Sequence, residues 1–356
     1  MRDLLEKFIA RFFSNEESVY FGFLLIVSSL FILLFGNILL PVFLSIVIAF
    51  LLNGLLKSLE SLKISHTISL VLTLIIFFGF YLSIFIALPS LGSQINSFLQ
   101  NLPTIVVAFQ NIFGGLVETF SDIFSEEDIN TLFLNFTDQV NNLLSQALGQ
   151  LAGTISFMFS AVLYAILVPI MVFFFLKDKA VLLPMLTEFL PTKRGFMNSI
   201  FSEMNDQLYN YVNGKVIEMS IVALFSYLVF ALLGLPYAVL IAILVGLSVI
   251  IPFFGAILVT IPVALLGLYE WGLTSQFYWL MGLYLIIQML DGNVLVPIIF
   301  SSRNNLHPVV IIITILFFGG IWGFWGLFFA IPLATFIKAI VNSWPEPKSI
   351  NSSMND

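Results

Sequence analysis

Cysteine is absent from the 356-residue chain and histidine occurs only twice. No disulfide, thiolate nucleophile or cysteine-held metal can therefore form. His66 and His307 have neither HExxH spacing nor the Ser and acid partners of a hydrolytic triad. Charge is scarce too: 9% of residues are Asp, Glu, Lys or Arg, and no basic run exceeds two residues. A surface that tracks a nucleic-acid backbone is excluded on that ground, whatever the net charge of -7. Gly319, Gly320, Gly323 and Gly326 lack the following Lys of a phosphate loop, and their GxxxG spacing suits close helix packing. The chain offers no catalytic residue, no metal site and no cofactor motif, so it does not read as an enzyme.

What fills the chain is apolar. Hydrophobic residues make up 60%, with 40 Phe and 5 Trp, and the mean hydropathy is +1.08. This composition belongs to an all-α polytopic membrane protein. Full spans are expected at 20–35, 38–56, 68–88, 155–176, 216–233 and 278–290, each an apolar run long enough to cross or nearly cross the hydrocarbon core. Two further stretches are broken. Residues 235–268 carry no charge and are interrupted at Pro252, Phe253, Phe254 and Gly255. As one helix this stretch would run about 50 Å, too long for one crossing and too short for two. A hairpin fits, and its turn must be sheltered from lipid because proline and the free backbone groups around it leave polar atoms unpaired. Residues 306–336 repeat the pattern: X-Pro at the start, an aromatic pair followed by Gly (Phe324, Trp325, Gly326), then Ile-Pro. Paired broken segments of this kind point to a transporter binding site. The expected fold is thus six full spans plus two inverted broken hairpins.

The 13 Lys and Arg fix an orientation. With the N-terminus inside, segments 1–19, 57–66, 177–215, 301–307 and 338–356 are cytoplasmic and hold 3, 2, 5, 1 and 2 of them, which is all 13. Both termini are then cytoplasmic. The expected organisation runs from an amphipathic N-terminal helix (1–19) through three spans (20–88) to an extracytoplasmic helical region (89–153). A fourth span (154–176) and a cytoplasmic elbow (177–215) lead to the transport core (216–340) and a polar tail (341–356) that lacks the apolar content to pack. Within the outer region, residues 125–148 carry helical spacing of apolar residues, as an amphipathic layer does.

Two acids fall within expected spans, where carboxylates are costly and mark ion or solute paths. Glu218 has Lys215 three residues before it on the same helical face. Asp291 belongs to a polar patch with Gln288, Gly292 and Asn293, before a Pro297 expected to interrupt the helix and free carbonyls for a small cation or hydroxylated solute. The candidate path therefore comprises Glu218, Gln288, Asp291, Asn293 and Pro297, with the turns at Pro252, Phe253, Phe254 and Gly255 and at Gly319, Gly320, Gly323 and Gly326. Asp291 is expected to matter more than Glu218, which has Lys215 to pair with.

The order FFFLKDK (173–179), LPTKR (190–194), YVNGKVIEMS (211–220), LGLPYAVLIAILVGLSVIIPFFGAI (233–257), QMLDGNVLVPIIF (288–300) and LHPVVIIITILFFGGIWGFWGLFFAIPLA (306–334) resembles the autoinducer-2 exporter family. The resemblance covers essentially the whole chain. It implies a bacterial cytoplasmic-membrane transporter with paired hairpins, assembled as a homo-oligomer, a pentamer, with one path per protomer, and it adds Asn213 of the YVNGK motif to that path. It implies as cargo either the quorum-sensing solute autoinducer-2 or, by antiport against protons, sodium or lithium. Three functional readings follow: a gradient-driven exporter of a small polar solute, a monovalent cation/proton antiporter, and a non-transporting membrane scaffold.

Overall fold

The computed structural model describes residues 16–119, 131, 134–135, 137–139, 142, 145, 154–188, 190–191, 194–252, 254–300 and 307–344. The surface helix expected at the N-terminus, most of the amphipathic run 125–148, Phe253, Arg303 and the tail beyond 344 lie outside them. Among the described residues the secondary structure is helical, without a strand. In chain order the helices are α1 (Glu16–Ser61), α2 (His66–Thr119), α3 (Thr154–Lys177), α4 (Lys179–Thr187), α5 (Gly195–Leu233), α6 (Ala238–Ser248), α7 (Phe254–Trp271), α8 (Ser275–Leu290), α9 (Val296–Phe300) and α10 (Pro308–Ser343). Seven stretches are long and apolar enough to cross a membrane, or up to eight with the bent pair α3–α4. Helices whose flanks expose Ile26, Leu34, Ile86, Leu232 and Ile298 at 66–86% are stable only where lipid covers them. The chain is an all-α polytopic membrane protein.

The helices fall into two units. The first comprises Met1–Phe78, Leu163–Asn213 and Ser302–Asp356. Helix α1 is hydrogen-bonded throughout its 46 residues, yet both its ends reach α5. Glu17 Oε1 accepts from the Met197 amide at 2.9 Å, and Gly54 abuts the Tyr209 ring. Twelve residues of α5 separate those contacts, about 18 Å, whereas a straight α1 would hold residues 17 and 54 about 55 Å apart. The helix must therefore bend back on itself, leaving the arms Glu17–Gly36 and Ile38–Ser61 as two spans. The ends are pinned by an edge-to-face cluster of Phe21, Phe196 and Trp344 at one contact and by Phe50 on Tyr209 at the other.

Helix α10 also doubles back. Gly323 sits at φ 57° and ψ -132°, a backbone state that glycine adopts without strain. A Cβ on Gly326 would overlap the Phe318 carbonyl, eight residues earlier, although in a straight helix these positions are about 12 Å apart. In the second unit, Gly79–Val162 with Gly214–Ser301, helices α6 and α7 form the matching hairpin. There a Cβ on Gly255 would overlap the carbonyl of Ser248, seven residues earlier. The two aromatic-Gly turns thus perform one task, bringing the arms of a hairpin into backbone contact. The arms are unequal, however: α6 has 11 residues and spans about 16 Å, half a bilayer core, whereas α7 has 18.

Two expectations change in detail. Helix α5 carries the elbow and the fifth full span without a break over 39 residues. Pro297 does not interrupt its helix, which continues to Phe300. The π-helical turn Asp291–Leu295 just before it widens the backbone, with the Val296 amide donating to the Asp291 carbonyl, so the proline ring and its missing donor are absorbed.

Candidate functional site

Inside the second unit the core is apolar around Phe230, Ile241, Val245, Val263, Leu266 and Leu280. One polar group interrupts it. Lys215 and Glu218, three residues apart on α5, lie on one helical face and are 5% and 1% exposed. The ammonium of Lys215 donates to Glu218 Oε1 at 3.1 Å and to the Val249 carbonyl at 2.9 Å, with Glu218 Oε2 at 2.8 Å as an ion-pair contact. The Phe300 ring lies 5.3 Å from the same nitrogen. Val249 is the residue that follows α6, so the first hairpin's turn supplies a ligand to the cluster. Gly246 makes the approach possible: a Cβ there would sit 2.7 Å from the Met219 carbonyl and from the Ala223 Cβ.

Asp291 completes the group. It opens the π-helical turn, lies within Coulomb range of both Lys215 and Glu218, and has a buried Oδ1 without a hydrogen-bond partner. With all three side chains ionised the cluster carries one ammonium and two carboxylates, a net charge of -1. One spacing on α8 then extends it: Tyr284, Gln288 and Asp291 follow at helical intervals on one face. The Tyr284 hydroxyl is 3.0 Å from Thr260 Oγ1 of α7 and is also approached by Gln288. A string of polar groups thus runs from Thr260 to Glu218 through otherwise apolar packing.

The structure sorts the candidate residues. Glu218, Gln288 and Asp291 come together, around a Lys215 that the sequence suggested only as a partner for Glu218. Asn293 faces away, exposed, its amide donating to the Met289 carbonyl at 2.9 Å. Pro297 is exposed on the same helix, and Phe254 is 49% exposed beside a half-buried Pro252 and a buried Gly255. Asn213, Gly319, Gly320, Gly323 and Gly326 belong to the first unit. There Gly319 packs against Leu327 while Gly320 opens onto free space. Tyr284, Thr260 and the Val249 carbonyl were missed. The Tyr284-Gln288-Asp291 interval was the available signal for the first; nothing in the sequence marks a backbone carbonyl as a ligand. Among the described residues no three His, Cys, Asp or Glu side chains converge as a metal site.

The model of the AI-2E family transporter matches residues 21–346. The chain belongs to this family. A protein named as a permease, PerM, of Escherichia coli (strain K12) is 37% identical over 351 residues, covering 97% of this chain and 98% of that one. Two proteins of Bacillus subtilis (strain 168) named as transport proteins are more distant relatives in the same length range. YueF is 26% identical over 87% of this chain and 85% of its own, and YrrI is 24% identical over 91% and 92%. The family is one of transporters and permeases, and the buried charge cluster lies within the matched residues.

Proposed function

We propose that this family member is a secondary transporter that exports a small polar solute across the bacterial cytoplasmic membrane, with autoinducer-2 as the first candidate. The observation that carries the proposal is the Lys215–Glu218–Asp291 cluster at the turn of the first hairpin. Burying a carboxylate that no counter-charge balances costs several kcal/mol, about the scale at which a proton or cation is taken up instead. A site of net charge -1 inside a spanning bundle is therefore suited to take up and release one positive charge per cycle, as a gradient-driven exporter needs. The fold-back of both hairpins at an aromatic-Gly turn supports a path lined by residues 252–255 and 319–326. On this reading both termini are cytoplasmic, and the protein works as a homo-oligomer, a pentamer, with one path per protomer.

The same missing counter-charge favours a second reading, in which a sodium or lithium ion is the cargo and a proton its exchange partner. Reconstitution into liposomes under imposed proton and sodium gradients separates the two. Autoinducer-2 movement that depends on a gradient supports export. Gradient-driven sodium or lithium flux without solute movement supports antiport, and absence of both refutes the proposal.

A further inference from the structure

The surroundings of the Lys215 ammonium resemble the surroundings of an alkali-metal ion. Three oxygens lie at 2.8, 2.9 and 3.1 Å from Nζ: both carboxylate oxygens of Glu218 and the carbonyl of Val249. A fourth, Asp291 Oδ1, is buried without a hydrogen-bond partner, and the face of Phe300 closes another side. Oxygen donors of mixed carboxylate and carbonyl type, in a buried setting with two negative charges, are what a hard cation requires. A transition metal would need nitrogen or sulfur donors that the cluster lacks.

We propose that Glu218, Asp291 and the Val249 carbonyl form a monovalent-cation cage in which Lys215 is a tethered occupant. Its four-carbon stem makes the ammonium a mobile plug: while Nζ is seated the cage is filled, and when the side chain swings away the oxygens are left to a sodium or lithium ion. The consequence for coupling rests on the transporter reading above, but the cage itself is a binding property of the resting protein.

The test is therefore made without transport. Full-length protein in detergent is unfolded thermally in sodium, lithium, potassium or choline chloride at constant ionic strength. Wild type is expected to show one midpoint in all four salts, because the plug is seated. Lys215→Gln removes the charge, and its midpoint is expected to rise saturably with sodium or lithium against choline, by about 2–5 °C at saturation. Lys215→Gln/Glu218→Gln is expected to lose that response. A Lys215→Gln protein that can be purified folded in sodium but aggregates in choline also supports the cage. A folded Lys215→Gln that ignores the cation overturns it. So does a double variant that keeps the response, or Lys215→Gln aggregating in every salt while the double variant folds, which makes Lys215 a structural counter-ion alone. Liposomes showing no coupled transport refute the functional proposal and leave this result standing.

Discussion

Replacing Glu218 with Gln keeps the shape of the side chain and removes its charge. Lys215, 5% exposed, keeps the Val249 carbonyl at 2.9 Å and a neutral acceptor, but its close counter-charge is gone. Breaking a buried pair from one side costs about 3–5 kcal/mol, because the surviving charge stays desolvated. Asp291 remains in Coulomb range and offsets part of this, so the lower end, about 3 kcal/mol, is the expected loss. At about 2–4 °C per kcal/mol in mid-sized domains, and less in a longer chain, the thermal midpoint should fall by about 5–10 °C. Tryptophan fluorescence of the purified protein reads it. Lys215→Met alone should also destabilise, by stranding two carboxylates, whereas Lys215→Met/Glu218→Gln should recover at least half of the loss. Additive single effects, or a midpoint of Glu218→Gln within 1 °C of wild type, would refute the reasoning that the pair is a buried unit.

Asp291→Asn leaves a neutral cluster of one ammonium and one carboxylate. It should fold with an unchanged or raised midpoint while gradient-driven transport falls about tenfold or more, read in liposomes. Gly255→Ala places a methyl group on the Ser248 backbone and should cost about 1–3 kcal/mol or prevent assembly, whereas Gly320→Ala meets open space and should be neutral; detergent size-exclusion chromatography and thermal midpoints distinguish them. Tyr284→Phe removes a hydroxyl 3.0 Å from Thr260 Oγ1, which keeps its 2.6 Å bond to the Ala256 carbonyl, so the stability loss should be only about 1 kcal/mol. Cysteines introduced singly at Asn111 and Lys348 report orientation in a chain without native thiols: an impermeant reagent on spheroplasts should label position 111 and spare 348.

Fold class and both hairpins were legible because membrane insertion depends on hydropathy and length, which are local properties of sequence. The repeat Phe254-Gly255 and Trp325-Gly326 also carried its geometry openly, since only a residue without Cβ lets the arms touch there. The turn in α1 was legible as a gap between apolar runs at 36–37, although its hydrogen bonding continues through the bend. The site was half legible. Intramembrane carboxylates stand out by their cost, so Glu218 and Asp291 were found. Their convergence 73 residues apart was not readable, because it depends on α6 docking at Gly246 and on a π-helical turn that rotates Asp291 before Pro297. Asn293 illustrates the converse: it is two residues from Asp291 in sequence, and the helix directs it to the opposite, exposed side.

The central claim is that the net charge of the buried cluster couples transport to a cation gradient. The most direct measurement is gradient-driven flux in liposomes by wild type, Glu218→Gln and Asp291→Asn, normalised to folded, inserted protein. The account expects wild-type flux to follow an imposed proton or sodium gradient and Asp291→Asn to lose that dependence while remaining folded. Wild-type gradient dependence retained in Asp291→Asn, at equal rate and affinity, would contradict it.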